Sequence, residues 1–197
     1  LQKATELGVS IITPIISERT EVKELNYERA QKIVVEATEQ SNQLNPPELS
    51  KVIKLKDFLE KLDKADAIIF GSPTYMGMVS GQMKCFFDGT SQRWFQGAWN
   101  SKFAAGFTTS LGLSGDKQST LSYMATFAFQ HGMIWIGCDT PNELFQGKSM
   151  EEATNRLSSN TGVMSQVNFG DEYMPTTGDL KTGGLLGERV AKYANKK

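Results

Sequence analysis

The sequence predicts an α/β protein: a doubly wound, five-stranded parallel sheet with helices on both faces, three layers deep. Three observations carry this. Short apolar, β-branched runs alternate with helical-period stretches five times along the chain. The connections between runs are of crossover length, as parallel pairing requires. Loops rich in Gly, Pro and hydroxyls follow two of the runs, at the strand ends where ligands of such sheets sit.

Residues 9–16 form the first run, too short for a helix, and Pro14, with no amide to donate, predicts an edge position or an irregularity there. From Asn26, a candidate N-cap, Tyr27, Ala30, Ile33, Val34 and Ala37 recur at helical spacing to about Ser41, with Glu28 and Lys32 placed for an i,i+4 pair. Asn45-Pro46-Pro47 forces an extended break, after which residues 48–53 read as a short strand and 55–62 as a short helix. Ala67-Ile68-Ile69-Phe70-Gly71 is the clearest strand, apolar on consecutive residues as burial on both faces demands. Val79, Met83, Phe86 and Phe87 mark a helix face, and residues 103–109 a further strand. Asp116 is a candidate cap for a helix with the stripe Leu121, Met124, Ala125, Ala128 and Phe129, stopped at Gly132. Residues 133–137 supply another apolar strand, residues 138–179 are polar and aperiodic, and Leu185, Leu186, Val190 and Ala194 mark a closing helix.

A chain of 197 residues is long enough for one sizeable core. With 21 Lys and Arg against 22 Asp and Glu, no global field favours nucleic acid or an anionic membrane. Cys85 and Cys138 form no metal-ligand spacing and read as buried free thiols of a reducing compartment. No apolar run reaches the ~18 residues of a membrane span and no signal pattern opens the chain, so a soluble, cytoplasmic protein is expected. Opening on Leu1 suggests a chain cut from, or joined within, a longer protein.

Two loops are candidate ligand contacts. In the first, Pro73 stiffens the turn, Gly77 admits close backbone approach, Thr74 offers a hydroxyl, and Tyr75 and Met76 can flank a planar ring. The second, Thr109-Ser110-Leu111-Gly112-Leu113-Ser114-Gly115, offers two glycines, hydroxyls and free amides before a helix N-terminus. Together they suit a flat heteroaromatic with polar edges. His131, the only histidine, stands at a helix end, where the plain role is a favourable dipole contact. Trp94, Trp99 and Trp135 read as core or interface, and Glu18, Glu21, Glu151 and Glu152 as solvated charge.

At these residues the chain resembles a known family. Ala65-Asp66-Ala67-Ile68-Ile69-Phe70-Gly71-Ser72-Pro73-Thr74-Tyr75-Met76-Gly77, then Met83-Lys84-Cys85-Phe86-Phe87-Asp88, then Gln130-His131-Gly132-Met133 resemble the NAD(P)H-dependent FMN reductase and quinone oxidoreductase branch of the flavodoxin-like proteins. The resemblance covers about two thirds of the chain, from near residue 60. It implies a flavodoxin-like fold, FMN as cofactor, NAD(P)H as co-substrate, a quinone or similar small-molecule acceptor, and a homo-oligomer. It also implies that Thr74 to Gly77 hold the isoalloxazine, that Thr109, Ser110, Leu111, Gly112 and Gly115 line its pyrimidine side and phosphate neighbourhood, and that His131 stands near the ring.

The front of the chain departs from that family, whose first strand ends in a hydroxyl- and glycine-rich loop that cradles the FMN phosphate. Here the turn reads Ser17-Glu18-Arg19-Thr20-Glu21-Val22-Lys23, with no glycine and two carboxylates. Ser17, Arg19 and Thr20 are the candidate replacements, opposed by Glu18. Hydrogen bonds to a charged group are worth roughly 1.5–3 kcal/mol each, so losing two or three weakens FMN binding roughly a hundred-fold to ten-thousand-fold or more.

Leu1-Gln2-Lys3-Ala4-Thr5-Glu6-Leu7-Gly8-Val9, Ser17-Glu18-Arg19-Thr20 and Gln31-Lys32-Ile33-Val34-Val35-Glu36-Ala37-Thr38-Glu39-Gln40-Ser41 resemble the start of SPOUT-superfamily ribosomal-RNA uridine methyltransferase domains, as far as about Phe58. The knotted segment that holds S-adenosylmethionine in that family has no counterpart here, so methyl transfer is not expected. The chain reads as a fusion, with one α/β fragment standing in for the first β-α-β-α of another fold, a substitution that hydrophobic pattern permits. The expected function is an FMN-binding oxidoreductase. Its rivals are a folded chimeric scaffold with weakened or lost flavin binding, and RNA binding through Arg19, Arg29 and the lysines.

Overall fold

The computed structural model describes residues 1, 5, 9–16, 24–40, 44–167 and 175–196. They fall into two compact units, Leu1–Leu62 and Asp63–Lys197, divided close to where the two resemblances meet.

The first unit contains β1 (Ile11–Ile12), β2 (Ile15–Ile16), α1 (Tyr27–Gln40), β3 (Glu48–Leu49), β4 (Ile53–Lys54) and α2 (Leu55–Leu62). The expected strand over residues 9–16 is broken at Thr13-Pro14, because Pro14 cannot donate to a ladder. Both halves pair in parallel, with Ile12 opposite Leu49 and Ile15 opposite Ile53, so the partner strand carries one residue more, a bulge. The N–H of Val52, inside that bulge, donates to the Tyr27 hydroxyl. Asn26 caps α1 as expected, its Oδ1 accepting from the Arg29 amide at 2.9 Å. Ala30, Val34 and Ala37 form the buried stripe of α1.

The second unit contains β5 (Ala67–Pro73), α3 (Gly81–Asp88), α4 (Ser91–Phe95), β6 (Phe103–Ser110), α5 (Lys117–Gln130), β7 (Ile134–Trp135), a 3₁₀ turn (Glu143–Gln146), β8 (Val163–Gln166) and α6 (Thr177–Ala194). Its sheet is parallel throughout and four-stranded among the described residues. β5 lies along one edge of β6, from Ala67 opposite Phe103 to Pro73 opposite Thr109. The other edge is shared. β7 faces Phe103 and Ala104, whereas β8 faces residues 107–110, so one strand position is filled by two pieces of chain separated by an excursion over residues 136–162.

Helices cover both faces. On one, Ala105, Ile136, Cys138 and Val163 pack against Leu186 and Val190 of α6. On the other, Ile68 and Phe70 of β5 and Leu121, Met124 and Ala128 of α5 are buried. There Phe70 meets Phe87 and Phe127 edge-on at 5.6 and 5.4 Å, and those two stack at 3.8 Å between centroids.

The excursion is tied down by charge. Arg156 makes a two-pronged ion pair with Asp179 in the first turn of α6, both bonds 2.9 Å, with side chains 2 % and 1 % exposed. Asp179 Oδ2 also accepts from the Gln166 amide at 3.0 Å. Asn155 donates to Thr140 O and accepts from the Ser159 amide, both 2.8 Å. The Glu143 carboxyl is pushed down to about 2 by Lys148 and by the Thr154 amide.

Several expectations are corrected. Asp116 precedes α5 with a left-handed φ of 54° and makes no side-chain cap, whereas Ser80, not singled out in sequence, caps α3 through the Met83 amide. Phe129 is exposed rather than part of the stripe, and Ile69, expected to be buried in a strand covered on both faces, is 41 % exposed. Cys85 is exposed; Cys138 is buried as expected. β8 and the first three residues of α6 lie in the stretch read as aperiodic. Glu151 is exposed as read, and its side chain also accepts from the Thr177 amide at 3.0 Å.

Replacing one member of a buried ion pair strands the other charge, which costs about 3–5 kcal/mol. Arg156→Met is therefore expected to lower urea-denaturation stability by about that amount. Arg156→Met with Asp179→Leu is expected to lose less than the two single losses combined, by more than about 1 kcal/mol.

Candidate functional site

The carboxyl ends of β5 and β6 bring the two expected loops together. The Thr74 amide donates to Thr109 O at 2.9 Å, and Thr74 Oγ1 lies 2.7 Å from Thr108 Oγ1 and 2.8 Å from Thr120 Oγ1, all three hydroxyls buried. This chain of hydroxyls fixes the base of the first loop to β6 and α5. Ser72 Oγ adds a brace, accepting from the Ser80 amide at 2.9 Å.

Beyond Thr74 the chain reverses in a tight turn. Tyr75 and Met78 exchange backbone hydrogen bonds of 2.9 and 3.0 Å, with Met76 at φ 48° and Gly77 at φ 78° between them. Positive φ at both central positions is the type I′ pattern, which glycine adopts freely and methionine only with strain. The strain is spent on exposure: Met76 projects wholly into solvent and Tyr75 is 65 % exposed.

The second loop curls over a lysine. Lys117, first residue of α5, is 0 % exposed, and its Nζ donates to the carbonyls of Gly112, Leu113 (3.0 Å) and Ser114 (3.4 Å). Burial pushes this ammonium below the usual lysine range, with Asp179 acting against the shift and Arg156 adding to it. Gln166 Nε2 donates to Leu111 O at 2.9 Å, while Gln166 Oε1 stands 3.5 Å from both terminal nitrogens of Arg156. Gly115, at φ 53°, lies so close to Ser110 Oγ that a Cβ would collide with it.

Polar groups remain for a ligand at this rim. The amides of Gly112, Leu113, Ser114 and Gly115 donate to no acceptor within the described residues, and Thr109 Oγ1 is buried without a partner. An orphan hydroxyl and a run of free donors beside exposed Tyr75 and Met76 fit a planar group with acceptor atoms along one edge. A cavity of about 470 Å³ adjoins the loop, between Leu113, Ser114 and Asp116 and residues 157–160. Among the described residues no cluster of His, Cys, Asp and Glu could hold a metal ion, and no helix is long and apolar enough to cross a membrane.

His131 is not brought to this rim within the chain. It ends α5, which at about 1.5 Å per residue runs about 20 Å back toward the amino ends of the strands. Next to it Gly132 O accepts from the Ser101 amide, just before β6 begins. The imidazole lies 4.7 Å from both the Trp99 and Phe127 rings, and its Nε2 is 3.0 Å from Thr90 Oγ1. Thr90 gives its own proton to Phe87 O, so it accepts from His131 Nε2–H, while Nδ1 is buried and has no partner among the described residues. Ser17, Arg19 and Thr20 lie outside the described residues.

The sequence reading missed Lys117, Gln166, Thr108 and Thr120. Only an interior view shows that a lysine after Asp116 turns inward, although its place beside two glycines at a helix start is a signal of a loop that needs an internal donor.

Burial lowers the His131 pKa below its ordinary value. The unfolded chain therefore binds a proton at His131 more readily than the folded one, and stability is expected to fall as pH drops through about 6.5. Melting temperatures followed from about pH 7.5 to about 5.5 test this, with His131→Phe expected to flatten that part of the profile.

With this geometry in view, comparison with known proteins gives two kinds of match. The family described as an RNA methyltransferase domain matches residues 1–86. Over 131 residues the chain is 40 % identical to flavodoxin FldP of Pseudomonas aeruginosa, covering 66 % of this chain and 71 % of that one. Over 137 residues it is 38 % identical to an NAD(P)H dehydrogenase (quinone) of Archaeoglobus fulgidus, covering 70 % of this chain and 63 % of that protein's length. A crystal structure of a WrbA-like flavodoxin from Agrobacterium tumefaciens superposes with a TM-score of 0.55 at 31 % identity, over 93 % of this chain and 97 % of that one.

Proposed function

This chain belongs to the flavodoxin family, and on that premise we propose that it binds flavin mononucleotide and passes electrons from NAD(P)H to a quinone or similar small acceptor. The observation that supports this most is the pairing, at one rim, of the strained Tyr75–Met78 turn with the loop over Lys117, where the amides of residues 112–115 and the Thr109 hydroxyl have no partners among the described residues. Pro73, Thr74, Tyr75, Met76 and Gly77 would flank the ring on one side, and Thr109, Ser110, Leu111, Gly112 and Gly115 would meet its polar edge on the other.

When bound, the flavin held by these two loops would supply the redox chemistry between the nicotinamide and the acceptor. The chain's own residues bind and orient. The Thr74, Thr108 and Thr120 hydroxyls hold the first loop at fixed height, the free amides offer donors to ring acceptors, and the side chains of Tyr75 and Met76 exclude water from one face. No side chain at this rim is required as acid or base. The same reading carries the expectation of one cooperative domain with a five-stranded sheet, and of a homo-oligomer; a single unfolding transition and a solution mass above one chain test these.

The test of function is a titration followed by quenching of flavin fluorescence, with FMN and with riboflavin, which lacks the phosphate. The expected result is saturable quenching by the protein with affinities for the two within about tenfold, because residues 17–23 contain no glycine cradle. FMN bound far more tightly than riboflavin would instead assign a phosphate role to Ser17, Arg19 or Thr20. No quenching at millimolar flavin would overturn the proposal and favour the scaffold reading.

A further inference from the structure

In a trans peptide the carbonyl of one residue and the N–H of the next point in opposite directions. At the end of β6, three successive carbonyls, those of Gly112, Leu113 and Ser114, converge on Lys117 Nζ, and the Leu111 carbonyl before them is taken by Gln166 Nε2. The N–H groups of Leu113, Ser114 and Gly115 must then point away from Lys117 Nζ, and neither they nor the Gly112 N–H donate to an acceptor among the described residues. An ammonium has three donors and no acceptor, so it is matched to three carbonyls. A buried cation supplied with oxygens on one side only holds the loop in a single sense, because turning any carbonyl outward would leave the charge under-solvated in a dry site.

Lys117 does this without reaching the rim itself. Its neighbours are the loop carbonyls above and the charged groups below: Asp179 of α6, paired with Arg156 of the excursion, both acting on it electrostatically. Since Arg156 and Asp179 neutralise one another, Lys117 leaves one net positive charge under the loop, which makes the outward amides better donors to an electron-rich edge.

We propose that Lys117 is a positioning residue of the flavin site: it touches no ligand, but by drawing the loop carbonyls inward it presents the amides of residues 112–115 to the acceptor-bearing edge of the ring. This rests on the flavin reading given above. It predicts that an uncharged side chain of similar shape lets the carbonyls turn to water, so the donor row is lost although the core stays packed.

The experiment compares wild type with Lys117→Met, and with Gln166→Met as the milder variant, which frees the Leu111 carbonyl and removes the 3.5 Å contacts to Arg156 but leaves Lys117 on its three carbonyls. Heteronuclear NOE values of the ligand-free proteins report loop order, and fluorescence titrations with FMN and riboflavin report affinity. In Lys117→Met the NOE values are expected to fall at residues 111–115 and nowhere else, and both ligands to bind at least about tenfold more weakly by the same factor. Gln166→Met is expected to show the smaller change of the same kind. Unchanged NOE values in both variants would overturn the proposal, as would a lowered melting temperature with flavin affinity of the folded protein intact, the mark of a purely structural lysine. If wild type binds no flavin, the functional reading fails and the ligand role of Lys117 with it, while the NOE values still decide whether Lys117 orders the loop.

Discussion

A lysine ammonium buried at the end of a parallel strand has to be surrounded by oxygen, and most of what stands at this rim follows from that requirement. Lys117 draws on the loop carbonyls, and Gln166 takes the one it leaves. Gln166 is itself the last residue of β8, with its amide on Asp179 and its side-chain oxygen near Arg156. The loop after β6 is therefore coupled to the excursion and to the N-terminal turn of α6. A charge in this place costs several kcal/mol to desolvate unless every partner is present, so the arrangement is held as a unit.

The two ends of the sheet are built on different chemistry. The carboxyl end is made of hydroxyls, carbonyls and one uncompensated charge, with exposed Tyr75 and Met76 at its margin. The amino end is made of aromatic rings: Phe87 and Phe127 stack, Trp99 meets Phe127 edge-on, His131 lies tilted against Trp99 and Phe127, and Asp63 ties Arg93 and the Trp99 indole at 2.9 and 2.8 Å. α5 connects the two, and its length separates His131 from the loops by about the length of the strands. The amino end resists deformation through packing, whereas the carboxyl end has donors left over.

Much of this was legible in residues whose effect is local. Pro14 announced the break in its strand, Asn26 its cap, and the Gly- and Pro-rich stretches after Phe70 and Phe107 the loops that meet at Thr74 and Thr109. What escaped depends on contacts made far along the chain. β8 is four residues with one fully buried side chain, too short to show a period, and pairs only because residues 136–162 return it to β6. The start of α6 carries Gly183 and Gly184 and buries Asp179 rather than an apolar side chain, which hides its helical stripe. Asp116 has the composition of a cap but the backbone of a left-handed turn, and nothing local marks Lys117 as buried, since Asp179 and the loop carbonyls around it come together only in the fold.

The front unit shows how far pattern alone carries a fold. A helix capped by Asn26, a bulged parallel pair and a spare amide taken up by Tyr27 satisfy their backbone locally, whatever lineage supplied them. The measurement that tests most directly whether a flavin is held at the carboxyl rim is a map of amide chemical-shift changes on adding riboflavin to isotope-labelled protein. The largest shifts are expected at Tyr75 to Gly77 and Gly112 to Gly115, with His131 and its neighbours still. Shifts centred on the aromatic cluster around Trp99, or none at saturating ligand, would contradict it.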